Sequence, residues 1–306
     1  MTPKSKLKIA LKQYQLFLML APAVAWLVIF QFIPLWGWHM AFVEYKLGKP
    51  IFEQQFVGLR YFFDLFQDFR FYNALKNTVI MSFLQICING FIMPIAFAVM
   101  LNEIRFMKFK RVVQSVSYLP HFVSWAVVAG IVIQSLSPST GIINEILMAL
   151  RIIDQPINFL AQESYFYGII TVSGLWKSMG WSSIIYIAAI TGIDQELYEA
   201  AQADGASRLK KIWHITLPSI QPTIIIMFII GIAGLIGTGF EAQLLLRNSL
   251  TMEKAEVLTL YALKYGIGML RFSFGTAVGI FVSVISVSLV LITNAFFRRF
   301  SDSSLF

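Results

Sequence analysis

The stretch "YEAAQADGASRLKKIWHITLP", residues 198–218, is a polar, charged island between two long apolar segments, residues 165–190 and 220–246. Asp194 is placed to cap a helix beginning "QELYEAAQA", and Glu196 and Glu199 in its first turns suit the helix dipole. Ala200, Ala201 and Ala203 give high helix propensity and a smooth surface open to close approach. Gly205 permits the left-handed turn that ends a helix, and Ser207 can cap a second one, "RLKKIWHI". Pro218 fits the first turn of the next apolar span. The spacing therefore predicts helix, glycine turn, helix. Two readings suit such an element: a docking surface for a partner, or an amphipathic connector.

The rest of the chain decides what surrounds this island. Of 306 residues, 58% are apolar and only 13% charged, against roughly 25% charged in a soluble domain. Mean hydropathy is +0.72. Apolar runs near the ~20 residues needed to cross a bilayer occur at 14–38, 75–101, 112–136, 165–190, 220–246 and 275–297. The first follows Lys4, Lys6, Lys8 and Lys12 and contains "APA" and "AVA", so a cleaved signal peptide competes with it. The run continues well past those sites to Trp38, which favours an uncleaved span. With the N-terminus inside, the inner segments 1–12, 102–111, 191–217 and 298–306 hold 13 Lys and Arg in 58 positions, against 9 in 94 for the outer ones. That bias predicts both termini, and the island, in the cytoplasm. The expectation is an all-α integral membrane protein with six transmembrane helices, its lipid partners accounting for the basic flanks. The net charge of +8 then needs no nucleic acid.

Cys87 stands alone, and His39, His121 and His214 are far apart, so neither a disulfide framework nor a metal site is expected. No G-x-x-x-x-G-K-[ST] occurs, so no cofactor and no P-loop nucleotide are expected in this chain. Among the outer segments, 39–73 carries aromatics broken by charges and suits an interfacial amphipathic helix. Residues 137–152 open with turn signals and continue at helical spacing.

"EAAQADGASRLKKIWHITLP" resembles the EAA motif of permease subunits of binding-protein-dependent ABC importers. Glu199, Ala200, Ala201, Asp204, Gly205, Ala206, Ile215, Leu217 and Pro218 match it in order and spacing. "NALKNTVIMS" (73–82) resembles the start of the family's transmembrane core. The resemblance implies the type I ABC importer permease fold. Residues 1–71 would then form an N-terminal segment, first helix and outer loop, 72–298 the five-helix core with coupling loop 191–217, and 299–306 a tail. It further implies that Glu199, Ala200, Ala201, Asp204, Gly205 and Ala206 seat in an ATPase groove. The implied partners are a second homologous permease, a cytoplasmic ABC ATPase dimer that binds ATP and Mg, and an extracytoplasmic sugar-binding protein. "GLWKSMGWSSIIYIAAITGID" and "TGFEAQLLLRN" resemble the branch that carries complex or acidic oligosaccharides.

Lys177 lies mid-span, where a charge costs about 2.5 kcal/mol or more and normally faces a bundle interior or an aqueous cavity. Ser173, Lys177 and Trp181 fall on one helix face, with Trp176 about 100° away. Indoles can stack on sugar rings while an ammonium bonds hydroxyls or a uronate; equally, the lysine can pair with a carboxylate or carbonyl of a neighbouring helix. Glu241 is expected to meet Lys177, Arg247 or sugar hydroxyls. Gly231, Gly234, Gly237 and Gly239 before it suit either a broken helix that exposes backbone near a binding site or close helix packing, and the Gly275, Gly279, Ser283 stripe suits packing. The function expected is ATP-driven oligosaccharide import by alternating access, with no covalent chemistry in this chain. Its alternatives are the same architecture carrying amino acids, peptides or an inorganic anion, an intramembrane enzyme, and an ATP-independent channel or carrier.

Overall fold

The computed structural model describes residues 14–234 and 240–300. The expectations for residues 1–13, for Gly237 and Gly239, and for the tail beyond Phe300 lie outside the described residues. The chain divides into two compact units, one made of residues 1–67 and 265–280, the other of 68–264 and 281–306.

In the first unit, the N-terminal apolar run forms one helix, α1 (Tyr14–Phe42). Almost all of its side chains are exposed, as suits a helix whose apolar surface is covered by lipid or a partner. Strands β1 (Val43–Glu44) and β2 (Gln55–Phe56) pair antiparallel. The Gln54 amide closes the loop between them: it accepts from the Lys46 N–H and donates to the carbonyls of Lys46 and Lys49. Gly48, at φ +88°, supplies the left-handed residue that this turn requires. The amphipathic helix expected within 39–73 is α2 (Arg60–Gln67), which buries Leu65.

The second unit holds the polar island and its supports. Asp68 caps α3 (Phe69–Asn102) by accepting from the Arg70 N–H. Pro94 lacks the N–H that the Gly90 carbonyl would otherwise receive. The helix widens into a π-type turn over Gln85–Ile92, and the Tyr186 hydroxyl takes the Gly90 carbonyl at 3.2 Å. The expected third span, 112–136, is not one continuous helix. α4 (Met107–Phe122) and α5 (Trp125–Ser135) meet at 103°. The local part of the cause is that Pro120 tightens the end of α4 into a 3₁₀ turn, Val123 is extended, and Ser124 restarts the helix as an N-cap accepting from Val127 N–H.

After a short helix α6 (Ile142–Ala149), α7 (Glu163–Thr191) runs for 29 residues, about 43 Å at 1.5 Å per residue. Glycines let its neighbours approach: a Cβ on Gly174 would lie 2.7 Å from the Asn89 amide, and one on Gly180 would collide with the Ser117 backbone. The polar island forms α8 (Gln195–Ala203) and α9 (Arg208–Ser219). The expected fifth span, 220–246, opens at a bend. Residue 220 turns the chain by 60° from α9 into α10 (Gln221–Ala233), and the described chain resumes with α11 (Phe240–Leu246). Pro218 therefore sits in α9, before the bend, and Pro222 opens α10. Helix α12 (Phe272–Phe300) ends the described chain and belongs in turn to both units. Among the described residues, α1, α3 and α12 are long and apolar enough to cross a membrane, and the bent pairs α4–α5 and α9–α10 raise the number to five.

Candidate functional site: coupling loop and helix break

The polar island is a capped knob with one partly buried root. Asp194 accepts from the Glu196 N–H at 3.0 Å to start α8. At its end Ala206 N–H reaches the Ala201 carbonyl at 2.8 Å and Gly205 N–H the Gln202 carbonyl at 3.1 Å, with Gly205 at φ +75°. This paired closure is the Schellman arrangement, which satisfies orphan carbonyls and requires a left-handed residue. Ser207 accepts from Lys210 N–H and restarts the helix as α9. One face is anchored: Tyr198 packs on the cluster of Ile95, Ala98, Tyr186 and Ile190, and its hydroxyl meets the Thr216 hydroxyl at 2.9 Å. The other face carries Glu199, Ala200, Asp204 and Gly205, all exposed, with Ala201 and Ala206 half-buried beside them.

Lys177 lies in a second constellation. Its ammonium donates to the carbonyls of His121 (2.8 Å) and Val123 (2.5 Å) and lies 5.9 Å from the Trp125 ring centre. Those carbonyls belong to the break between α4 and α5, which leaves them without a following helical turn. Of the pairings considered for Lys177, the structure places it on neighbouring carbonyls. Trp181, one turn away, stacks on the His121 ring at 4.4 Å and 2° and meets Phe122 edge-on. Ser173 is buried and returns its hydroxyl to the Ile169 carbonyl. Trp176 is half-exposed beside Ser173 in an apolar groove of about 660 Å³ between α5 and α7. Glu241 is exposed on α11 and enters no ion pair with a described residue. Ser173, Lys177 and Trp181 thus share α7, and Glu241 is not joined to them.

His121 and Asn89 were not singled out from the sequence. Pro120 is the signal for the first, because it marks the break that His121 lines. Asn89 sits inside an apolar run; it donates to Gln85 and to the Thr171 carbonyl while its own carbonyl oxygen is buried without a partner. Gln243 is wholly buried, and neither of its amide atoms is bonded to a described residue. No group of three or more His, Cys, Asp or Glu that could hold a metal occurs among the described residues.

The family model described as binding-protein-dependent transport system inner membrane component matches residues 90–302, more than half of the chain. The chain belongs to that family. Among relatives of this transport component, the polygalacturonan/rhamnogalacturonan transport system permease protein YteP of Bacillus subtilis is 37% identical over 296 residues, 97% of this chain and 91% of the relative. Protein LplB of the same organism is 37% identical over 291 residues, 95% of this chain and 91% of LplB. Two solved bacterial structures are similar at 38% identity. One is of an ABC transporter involved in the import of the acidic polysaccharide alginate, with TM-score 0.87 over 96% of this chain and 99% of that one. The other is of an alginate ABC transporter in complex with an alginate pentasaccharide-bound periplasmic protein, with TM-score 0.89 over 97% and 99%.

Proposed function

We propose that this chain is one permease of a heterodimeric ABC importer that carries acidic oligosaccharides into the cell. The observation that carries this reading is the knob at 194–217: a capped helix closed at Gly205, rooted by Tyr198 and presenting Glu199 on its free face. A separate cytoplasmic ATPase, binding ATP and Mg, seats on Glu199, Ala200, Ala201, Asp204, Gly205 and Ala206. Its closure moves the knob and the helices behind it, and the substrate crosses between this permease and a second, related one. In this reading α7 is the sixth span, both termini are cytoplasmic, and 72–298 is the permease core. No covalent step falls to this chain. Ser173, Trp176, Trp181 and Glu241 lie along the path, and Lys177 acts on it by holding the helix break. Similarity to a polygalacturonan/rhamnogalacturonan transport permease and to an ABC transporter for the acidic polysaccharide alginate supports the acidic substrate class.

The test is substitution of Glu199 and Gly205 by Trp and Leu. Co-purification of the ATPase and uptake of labelled oligogalacturonate or oligoalginate should both fall at normal protein levels. Unchanged association and uptake would remove the docking role. Competition of uptake by amino acids, and not by uronides, would replace the substrate class.

A further inference from the structure

Behind the knob lies a cavity of about 390 Å³, room for roughly a dozen waters. It is lined by α9, the start of α8 and the far ends of α3 and α7. Arg105, Arg208 and Lys211 contribute three cations, and Glu103 the carboxylate. None of the three cations is in an ion pair with a described residue; Lys211 donates only a long bond, 3.4 Å, to the Gln202 amide. The C-terminal ends of α3 and α7 bring about half a negative charge each. Three cations outweigh one carboxylate and the two helix C-terminal ends, and the N-terminal end of α8 adds to them, so the concave, polar space is net positive. The bonded Tyr198 and Thr216 hydroxyls form part of its lining. Phe106, Leu209 and Trp213, neighbours in sequence of these cations, each expose more than 60% of their surface, as residues at a membrane interface do.

We propose that this cavity binds a phosphate-bearing anion, the headgroup of an acidic phospholipid. The choice of a lipid rests on the proposed function, which puts the knob on the cytoplasmic face, where anionic headgroups gather and basic pockets between helices take them. A headgroup seated there bridges α9 to the ends of α3 and α7, and so holds the root of the knob.

Native mass spectrometry of the purified transporter, with and without its ATPase, tests this with phosphatidylglycerol, phosphatidylcholine and inorganic phosphate as probes. The full chain should retain phosphatidylglycerol in preference to phosphatidylcholine. Arg105→Gln, Arg208→Gln and Lys211→Gln together should lower that retention at least tenfold. Arg105→Lys with Arg208→Lys should keep it, which guards against a fold defect. Binding of inorganic phosphate with the same dependence on the three cations, and no lipid preference, would keep the anion site and make its source a soluble phosphate. Equal lipid retention by wild type and triple variant, or none by either, overturns the proposal. So does loss of ATPase association in the triple variant when the wild type holds no lipid, since the cations would then belong to the docking face. Variants at Glu199 and Gly205 should release the ATPase and leave lipid retention unchanged, which separates this proposal from the docking reading.

Discussion

Replacing Lys177 by Met should weaken the bundle before it changes what the bundle carries. The ammonium makes two bonds to carbonyls at the break between α4 and α5. A hydrogen bond to a charged group contributes about 1.5–3 kcal/mol, so the pair is worth about 3–6. In the proposed reading, in which α7 is a span, keeping a lysine at its middle costs about 2.5 kcal/mol, which the substitution returns. The net loss is about 0.5–3.5 kcal/mol, with a central value near 2. Methionine also leaves the His121 and Val123 carbonyls unpaired beside the Trp181 stack, so α5 should shift relative to α7. Lys177→Arg keeps a cation in reach and should recover most of the loss. The assay is a tryptophan-fluorescence melt of the complex in nanodiscs, paired with uptake of an acidic and a neutral oligosaccharide of equal length. The expected result is a lower melting point for Met, near-normal melting for Arg, and uptake of both sugars reduced in parallel. A Met variant that melts like the wild type and loses uptake only of the acidic sugar would show that the ammonium faces substrate, and would refute the structural role.

Gly205→Val should cut uptake and ATPase association while the protein still accumulates. The site has room for the side chain, but φ +75° costs a β-branched residue about 1–2 kcal/mol and opens the turn; Gly205→Asn should be tolerated. Gly180→Ala should destabilise the complex by about 1–3 kcal/mol in a thermal melt, because the new methyl meets the Ser117 backbone and must push α4 from α7. Asn77→Ala should cost about 2–3 kcal/mol at about 1 kcal/mol per bond. It removes a buried amide that donates to the Glu253 and Glu256 carbonyls and accepts from the Tyr167 hydroxyl. Tyr167→Phe, which removes one of the three bonds, should cost about a third as much in the same melt.

The knob was legible because each of its signals is local. Asp194, Gly205 and Ser207 act within four residues of themselves, and capping and left-handed turns are set by short-range bonding. The apolar runs were legible for the same reason, since crossing a bilayer demands length and composition in one continuous stretch. The breaks were not read. Pro120 and Pro222 stand in plain view, but a proline inside an apolar run can kink a span, end it or open the next. What decides at Pro120 is a lysine 57 positions on that accepts the task of satisfying the freed carbonyls. That pairing is tertiary, so spacing along α7 could put Ser173, Lys177 and Trp181 on one face and still leave the partner of the ammonium open. Asn89 and Gln243 escaped because an amide inside an apolar run looks, in sequence, like a packing residue.

These two constellations are joined by one helix. Tyr198 roots the knob in the cluster that contains Tyr186 and Ile190 of α7, and Lys177 lies on the same helix, 14 residues from its end at Thr191, about 21 Å along the axis. An unbroken α-helix transmits displacement along its length, whereas a break absorbs it. Here α7 runs unbroken for 29 residues, and the breaks lie in α4–α5 before it in the chain and α9–α10 after it. A push on the knob, in the proposed mechanism, therefore has one route through the bend at the end of α9 and another along α7, which reaches the α4–α5 break where Lys177 grips it. The lysine fixes that junction by two bonds, strong enough to position α5 and few enough to be exchanged when the bundle changes state. If α7 is a span, as proposed, this accounts for a charge being kept within it even where it touches no sugar.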